Sequence, residues 1–288
     1  MKLDRTPRIR CALLLAALGV ASGATAQSIT LRLNLAVGKK HTYTVENKIV
    51  QTNKGPGVPP SMASMDMVQR MTGALNVLSK NAKGFVIKNS ISSVKVTVPK
   101  DSPMAAQVSM IENMIKGASF EATYDARARI VGEPKASSSN PMLKQIMSSM
   151  GGMGMGLMGV EFPAGPVSPG SKWTTHFDIG KMLSQMPGMG SAAKVSKIPI
   201  NFRFVRVENR GGKRFAKLSY TMKGSTSMSA PAASGQQGTI KMGFDFTGNA
   251  SVDLATGLPV EGGGTGTSTT TFGQMTMTQK TTATFKVQ

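Results

Sequence analysis

Methionine is the residue type most concentrated in this chain. Six of its 22 methionines (Met142, Met147, Met150, Met153, Met155 and Met158) fall within 17 residues. The run Met150-Gly151-Gly152-Met153-Gly154-Met155-Gly156-Leu157-Met158 is its centre. Thioethers are soft ligands that select Cu(I), and a Met-x-Met with more methionines nearby suits such a site. The same side chain fills irregular cores and lines adaptable apolar surfaces. With no histidine or cysteine close by, packing or apolar-ligand contact is the leading expectation, and methionine-based copper(I) binding is an alternative. The expected ligand-facing set is Met104, Met114, Met147, Met150, Met153, Met155 and Met158, with no dedicated metal site and no cofactor.

Other chemistry fails on residue type or spacing. The two histidines, His41 and His176, sit in strand-like runs with no triad-like arrangement. No G-x-S-x-G elbow appears. Ser92-Ser93-Val94-Lys95 matches S-x-x-K, but it lies in an alternating strand and lacks its companion motifs. The acidic residues are scattered, with no D-x-D or E-x-x-E pair for a hard metal. A non-enzyme is therefore expected.

The N-terminus points to export. Lys2, Arg5, Arg8 and Arg10 precede an apolar run through Leu13, Leu14, Leu15, Leu18 and Val20, and Ala24-Thr25-Ala26 is an A-x-A cleavage signal. Met1 to Ala26 thus reads as a signal peptide whose apolar run is too short to span a bilayer. The product would begin at Gln27, periplasmic or extracellular. Cys11, the single cysteine, would leave with the signal, excluding disulfides and thiolate chemistry. No later segment is apolar enough for a transmembrane helix. Removing the signal leaves 30 basic and 13 acidic residues, a net charge of +17. Such a field favours anionic partners, a membrane surface among them. Export and only 5% aromatic residues argue against nucleic acid.

The elements are mostly strands. Met65, Met67, Met71, Leu75 and Val77 line one face, Asn81 to Gly84 reads as a turn, and Phe85 to Val98 returns. Ala216, Leu218, Tyr220 and Met222 alternate with Lys217, Ser219, Thr221 and Lys223. Three short helices are expected: from Ser102-Pro103 to Lys116-Gly117, from Asn140-Pro141 to Gly151, and from Asp178 to Met186. Asn53 to Pro60, Met186 to Lys197 and Ser225 to Gly238 read as loose connections. The Thr-rich tail from Thr265 to Gln288 reads as closing strands.

Landmarks recur at a nearly constant offset. Gly38 to Thr42 matches Gly170 to Thr174, the turn at Asn81 to Gly84 matches Asn209 to Gly212, and the Asp125 turn matches the Asp253 turn. Two duplicated β units follow: residues 27–165 with two short helices, and residues 166–288.

The segment Phe162-Pro163-Ala164-Gly165-Pro166-Val167-Ser168-Pro169-Gly170-Ser171-Lys172-Trp173 reads F-P-x-x-P-V-x-x-G-x-x-W. It resembles a motif of bacterial exported β-rich proteins whose family has no assigned function. Phe120 to Asp125 and Val252 to Gly257 fit the same pattern, although Arg127-Ala128-Arg129 departs from it where a glycine is expected. The outline is similar to the half-barrels of periplasmic lipoprotein carriers, in which a curved sheet cups helices and an acyl chain. Fold analogy of this kind does not establish function. The expected fold is α+β, mainly antiparallel β: a curved sheet or half-barrel with short Met-rich helices. The expected role is a non-catalytic envelope protein that binds or carries an apolar or lipid ligand, with a structural or protein-interaction module of the envelope as the alternative.

Overall fold

A computed structural model describes residues 28–102, 104–137, 157–179, 197–231 and 237–288. The signal segment and the second expected helix lie outside these residues. So do most of the third expected helix and Met142, Met147, Met150, Met153 and Met155.

The first part of the chain contributes β1 (Lys40–Lys54), β2 (Ser64–Asn81), β3 (Gly84–Thr97), β4 (Ser119–Tyr124) and β5 (Ile130–Ser137). The second contributes β6 (Lys172–Asp178), β7 (Lys197–Arg210), β8 (Lys213–Pro231), β9 (Gln237–Asp253), β10 (Pro259–Phe272) and β11 (Met275–Val287). All eleven form one open, curved sheet in the order β5-β4-β3-β2-β1-β11-β10-β9-β8-β7-β6. Every pairing is antiparallel. Each part is a meander, and β11 joins the two by pairing with both β1 and β10. The two turns paired in sequence, at Asn81 and Asn209, both link the second and third strands of their meanders. Asp125 and Asp253 both follow the fourth.

Short helices interrupt the sheet. The α-helix α1 (Pro60–Ala63) links β1 to β2, and α2 (Val108–Ile115) packs on β3. The helix expected from Ser102 begins as a 3-10 turn over Ala105–Gln107, with the Ser102 hydroxyl accepting the Met104 N–H ahead of it at 3.3 Å. Asp178 ends β6, Ile179 after it is helical, and the rest of the third expected helix lies outside the described residues. Of the loose connection expected from Ser225 to Gly238, Ser225 to Pro231 is strand and residues 232–236 lie outside the described residues. The Ser/Ala/Pro composition of residues 225–231 signals a loop locally, but pairing with β9 overrides that preference.

One end of the curved sheet is closed by two segments without regular structure. Ile29 pairs with Val167, Leu33 N–H donates to the Ala126 carbonyl, and Asn34 N–H donates to Thr256. Leu31, Leu33 and Leu35 are buried in the main core, with Asn34 exposed between them. Residues 157–173 act as a clip. Leu157 and Phe162 donate N–H bonds to Ala128 and Arg127 of the β4–β5 turn, and Gly170 donates to Phe204 in β7. Strands from the far ends of the sheet therefore meet through this clip, which requires the sheet to curl. Their side chains form one cluster containing Phe85, Ile87 and Tyr124 with Ile200, Phe202 and Phe204.

The F-P-x-x-P-V-x-x-G-x-x-W segment is this clip. Phe162 has no exposed surface. Trp173 stacks on Phe202 with centroids 5.4 Å apart and donates its indole N–H to the Glu161 carbonyl. Glu161 pairs with Arg127 at 3.1 Å, yet burial raises its carboxyl above the usual range against the pull of that arginine.

Candidate functional site

Directly paired residues in an antiparallel sheet share a face, so the register decides what a ligand would meet. Along the inner face, next to the core, runs Phe204–Leu218–Ala250–Gly262–Phe285–Val45–Met71–Val94. Two residues further from the closed end the row is Phe202–Tyr220–Gly248–Gly264–Ala283–Asn47–Gln69–Val96. The next is Ile200–Met222–Phe246–Gly266–Thr281–Ile49–Met67. Then follow Gly224–Phe244–Ser268–Gln279–Gln51–Met65 and Thr226–Met242–Thr270–Met277–Asn53. Met228–Ile240–Phe272–Met275 forms the lip.

None of these six rows contains a charged side chain. The intervening residues of the same strands, on the outer face, carry Glu46, Lys48, Arg70, Lys217, Lys223, Asp245 and Lys280. Several pair across strands, including Arg70–Glu46 at 2.7 Å and Lys223–Asp245 at 2.9 Å. The face is apolar on β7–β9 apart from Thr226 and glycines, alternates apolar side chains with the amides of Asn47, Gln51, Asn53 and Gln69 on β1–β2, and carries glycines and hydroxyls between its apolar residues on β10–β11. From Ala250 to Ile240 the surface runs about 33 Å at the ordinary rise of a strand.

Away from the closed end this surface is not sealed. Met65, Met67, Met222, Met242, Phe244, Phe246 and Ile49 are all half-buried. At the lip, Met275 is 52% and Phe272 37% exposed. Rings lie flat over glycines: a Cβ at Gly248 or Gly264 would overlap the Tyr220 phenol, and one at Gly266 would overlap Phe246. Glycine beneath an aromatic is a way of bending a sheet while keeping its face apolar. The phenols of Tyr43 and Tyr220 titrate above their usual range because burial disfavours phenolate.

One polar group stands out. Thr226 is buried between Gly224 and Met228 on the inner side of β8, and its hydroxyl has no hydrogen-bond partner among the described residues. Nearby Ile179, Met228, Phe177, Ile240, Met242 and Phe244 form a satellite apolar cluster.

Sequence reasoning located different methionines. Met104 is half-buried before the 3-10 turn, Met114 packs with Ile91, Phe120 and Ala136 around Ala118, and Met158 packs on the main core. Met158 adopts a left-handed backbone, φ 52°. These three are not brought together, and the remaining four lie outside the described residues. The strand methionines were missed because what unites Met67 with Met222 is a register across four intervening strands. Among the described residues no three His, Cys, Asp or Glu side chains are grouped to hold a metal.

A separate recess of about 500 Å³ at the closed end is bordered by His41, Arg210, Lys213, Asp253, Glu261 and Lys286. Burial would raise the Glu261 carboxyl, but hydrogen bonds from Ser251, Lys217 and Arg210 outweigh it and hold it below its ordinary value. His41 is lowered by burial and by Lys39. Of these groups Arg210 and Glu261 pair with each other at 2.8 Å.

No family model and no curated protein matches the chain. Among solved structures it is similar to one titled for lipid–protein interactions in lipovitellin, at 8% identity and TM-score 0.39, over 88% of this chain. The match covers 26% of the lipovitellin chain. A mutant porin from Rh. blastica matches at 8% identity and TM-score 0.29, over 87% of this chain and all of the porin. An outer membrane channel from Pseudomonas putida F1 matches at 7% identity and TM-score 0.22, over 89% of this chain and 97% of the channel. Among the described residues no helix is long and apolar enough to cross a membrane.

Proposed function

We propose that this is a non-catalytic protein of the bacterial envelope that binds or carries an apolar or lipid ligand on the inner face of its sheet. The observation supporting it is the uncharged, half-buried Met/Phe/Ile surface extending from the core to an exposed lip. Burying such area is favourable by about 25 cal/mol per Å², and methionine adapts to a chain of variable shape. Binding sites are mostly apolar with a few placed polar groups, and the orphan Thr226 hydroxyl fits that role for a ligand oxygen. Met104, Met114, Met147, Met150, Met153, Met155 and Met158 belong to this proposal as further ligand contacts. The strongly basic composition suits an anionic membrane as the place of exchange.

Uptake of a fluorescent fatty acid by delipidated protein tests the reading. Met222→Asp, or Met67→Asp at the other end of the same row, places a charge against the acyl chain and should weaken uptake tenfold or more. An unpaired charge in apolar surroundings costs several kcal/mol, of which about 1.4 kcal/mol already gives that factor. Thr221→Asp, one residue along and on the outer face, should leave uptake unchanged. A wild-type protein that ignores the probe but binds Cu(I) tightly would favour the copper reading. One that binds neither would favour an envelope scaffold.

A further inference from the structure

The hairpin between β2 and β3 holds an apolar residue where the alternation of the strand cannot bury it. Val77 pairs with Ile87 and Ser79 with Val86, so Leu78 is the extra residue of a bulge. Bulges re-aim side chains, and this one leaves Leu78 45% exposed. Val37 lies beside it, because Gly38 N–H donates to the Val77 carbonyl and Val77 N–H to that of Lys39. Val37 is 55% exposed.

Lysines surround the pair. Lys39, Lys40, Lys80 and Lys83 are all exposed, and neither residues 36–41 nor 78–84 include a carboxylate. Asp125 passes close to Gly84, but its carboxylate is engaged by Arg129 at 2.7 Å. The tip is rigid: the Asn81 side chain accepts N–H bonds from Lys83 and Gly84, and Lys80 sits 5.1 Å from the centroid of the Phe85 ring. The corresponding β7–β8 hairpin also carries exposed Lys213 and Arg214, but no large apolar side chain is exposed between residues 209 and 215, and carboxylates lie beside its arginines. Arg210 pairs with Glu261 at 2.8 Å and Arg206 with Glu208 at 2.5 Å.

We infer that this end of the sheet, Val37 and Leu78 ringed by Lys39, Lys40, Lys80 and Lys83, docks on the surface of an anionic phospholipid bilayer. The lysines meet lipid phosphates while the two apolar side chains enter the interface between headgroups and acyl chains. Each lysine near such a surface adds about 1 kcal/mol, a factor of roughly five in partitioning. The inference rests on the envelope reading only for the kind of surface encountered, and it does not need a ligand on the inner face.

The test is flotation of protein lacking residues 1–26 with phosphatidylglycerol/phosphatidylcholine vesicles, and with phosphatidylcholine alone. Binding should require phosphatidylglycerol and weaken with added salt. Lys80→Glu/Lys83→Glu should lower partitioning by about 25-fold or more at two factors of five, and Leu78→Ser should lower it with the charge intact. Lys213→Glu/Arg214→Glu, the same charge change in the sister hairpin, should leave it nearly unchanged. Equal losses from both hairpins would reduce the effect to net charge and overturn the proposal, as would binding that Leu78→Ser does not touch, or none to phosphatidylglycerol. Fatty-acid uptake, measured on the same variants, fails or survives independently.

Discussion

The two aspartate turns solve one geometric problem with different residues. In each, the aspartate carboxylate accepts the backbone N–H two residues on: Arg127 from Asp125, Ala255 from Asp253. In each, the chain then reverses through a left-handed residue. At the second turn that residue is Gly257, φ 68°. At the first it is Ala128, φ 61°, fully buried. An alanine there costs about 1 kcal/mol relative to glycine, and it persists because the clip overdetermines it. Leu157 bonds to its carbonyl, Phe162 bonds to that of Arg127, and the Arg127 guanidinium donates to the Phe162 carbonyl at 2.8 Å. At the second turn Gly257 faces the N-terminal strap, the extended segment from Ile29 to Leu35, so closely at Arg32 and Leu33 that no side chain fits. Shared turn chemistry at corresponding places in both meanders supports, as a proposal, descent of the two β units from one.

Gly257→Ala should break this comparison most severely. Its Cβ would overlap the Arg32 carbonyl and press on the backbone of Leu33, which cannot move without lifting Leu31 and Leu33 from the core. Left-handed strain and forced repacking together predict a loss of about 2 to 4 kcal/mol, read from the urea midpoint at unchanged slope. A loss under about 1 kcal/mol would show the strap to be loosely held.

The tyrosines sharpen the comparison at intermediate size. The chain has three, Tyr43 and Tyr124 in the first meander and Tyr220 in the second, all raised by burial. Tyr43 reaches about 12 despite a hydrogen bond from its phenol to Asn89. The unfolded chain releases these protons near pH 10, and the folded one holds them longer. Between those values the unfolded state binds fewer protons, so stability is complete below about pH 10 and falls as pH rises toward 12. Tyr43 alone accounts for an effect of order 2 kcal/mol. Phenolate absorbance should therefore stay low through pH 10 and rise with alkaline unfolding, and Tyr43→Phe should flatten the decline more than Tyr220→Phe. A phenolate signal already half developed at pH 10 in folded protein would contradict this.

How far these features could be seen in the sequence follows from the range of the interactions that make them. The alternation from Ala216 to Met222, the turns at Asn81 and Asn209 and the closing strands are set by neighbours in sequence, and all are present. The aspartate turns were also legible, down to the missing glycine at Ala128. What the sequence hid depends on distant pairing. Met67 and Met222 share a face only through the order β2-β1-β11-β10-β9-β8. Leu78 is exposed only because a bulge shifts the register. The dense Met-Gly run drew attention by composition, while the strand methionines, spaced singly, looked like ordinary core.

Ala128→Gly is the smallest expected effect and the most direct probe of why the first turn differs. Glycine removes the left-handed penalty, worth about 1 kcal/mol in the folded state. It also deletes a buried methyl, about 0.8 kcal/mol, and frees the unfolded chain by some 0.4 to 1 kcal/mol. The sum is a destabilisation below about 1 kcal/mol, much less than at Gly257. If the clip is what holds Ala128 left-handed, the balance should shift when the clip is weakened. In a Trp173→Phe background, which removes the indole N–H bond to Glu161, Ala128→Gly should become neutral or stabilising. Independent sites would show the same change in both backgrounds within about 0.3 to 0.5 kcal/mol, and additivity of that kind would mean that the turn keeps its strained residue without help from the clip.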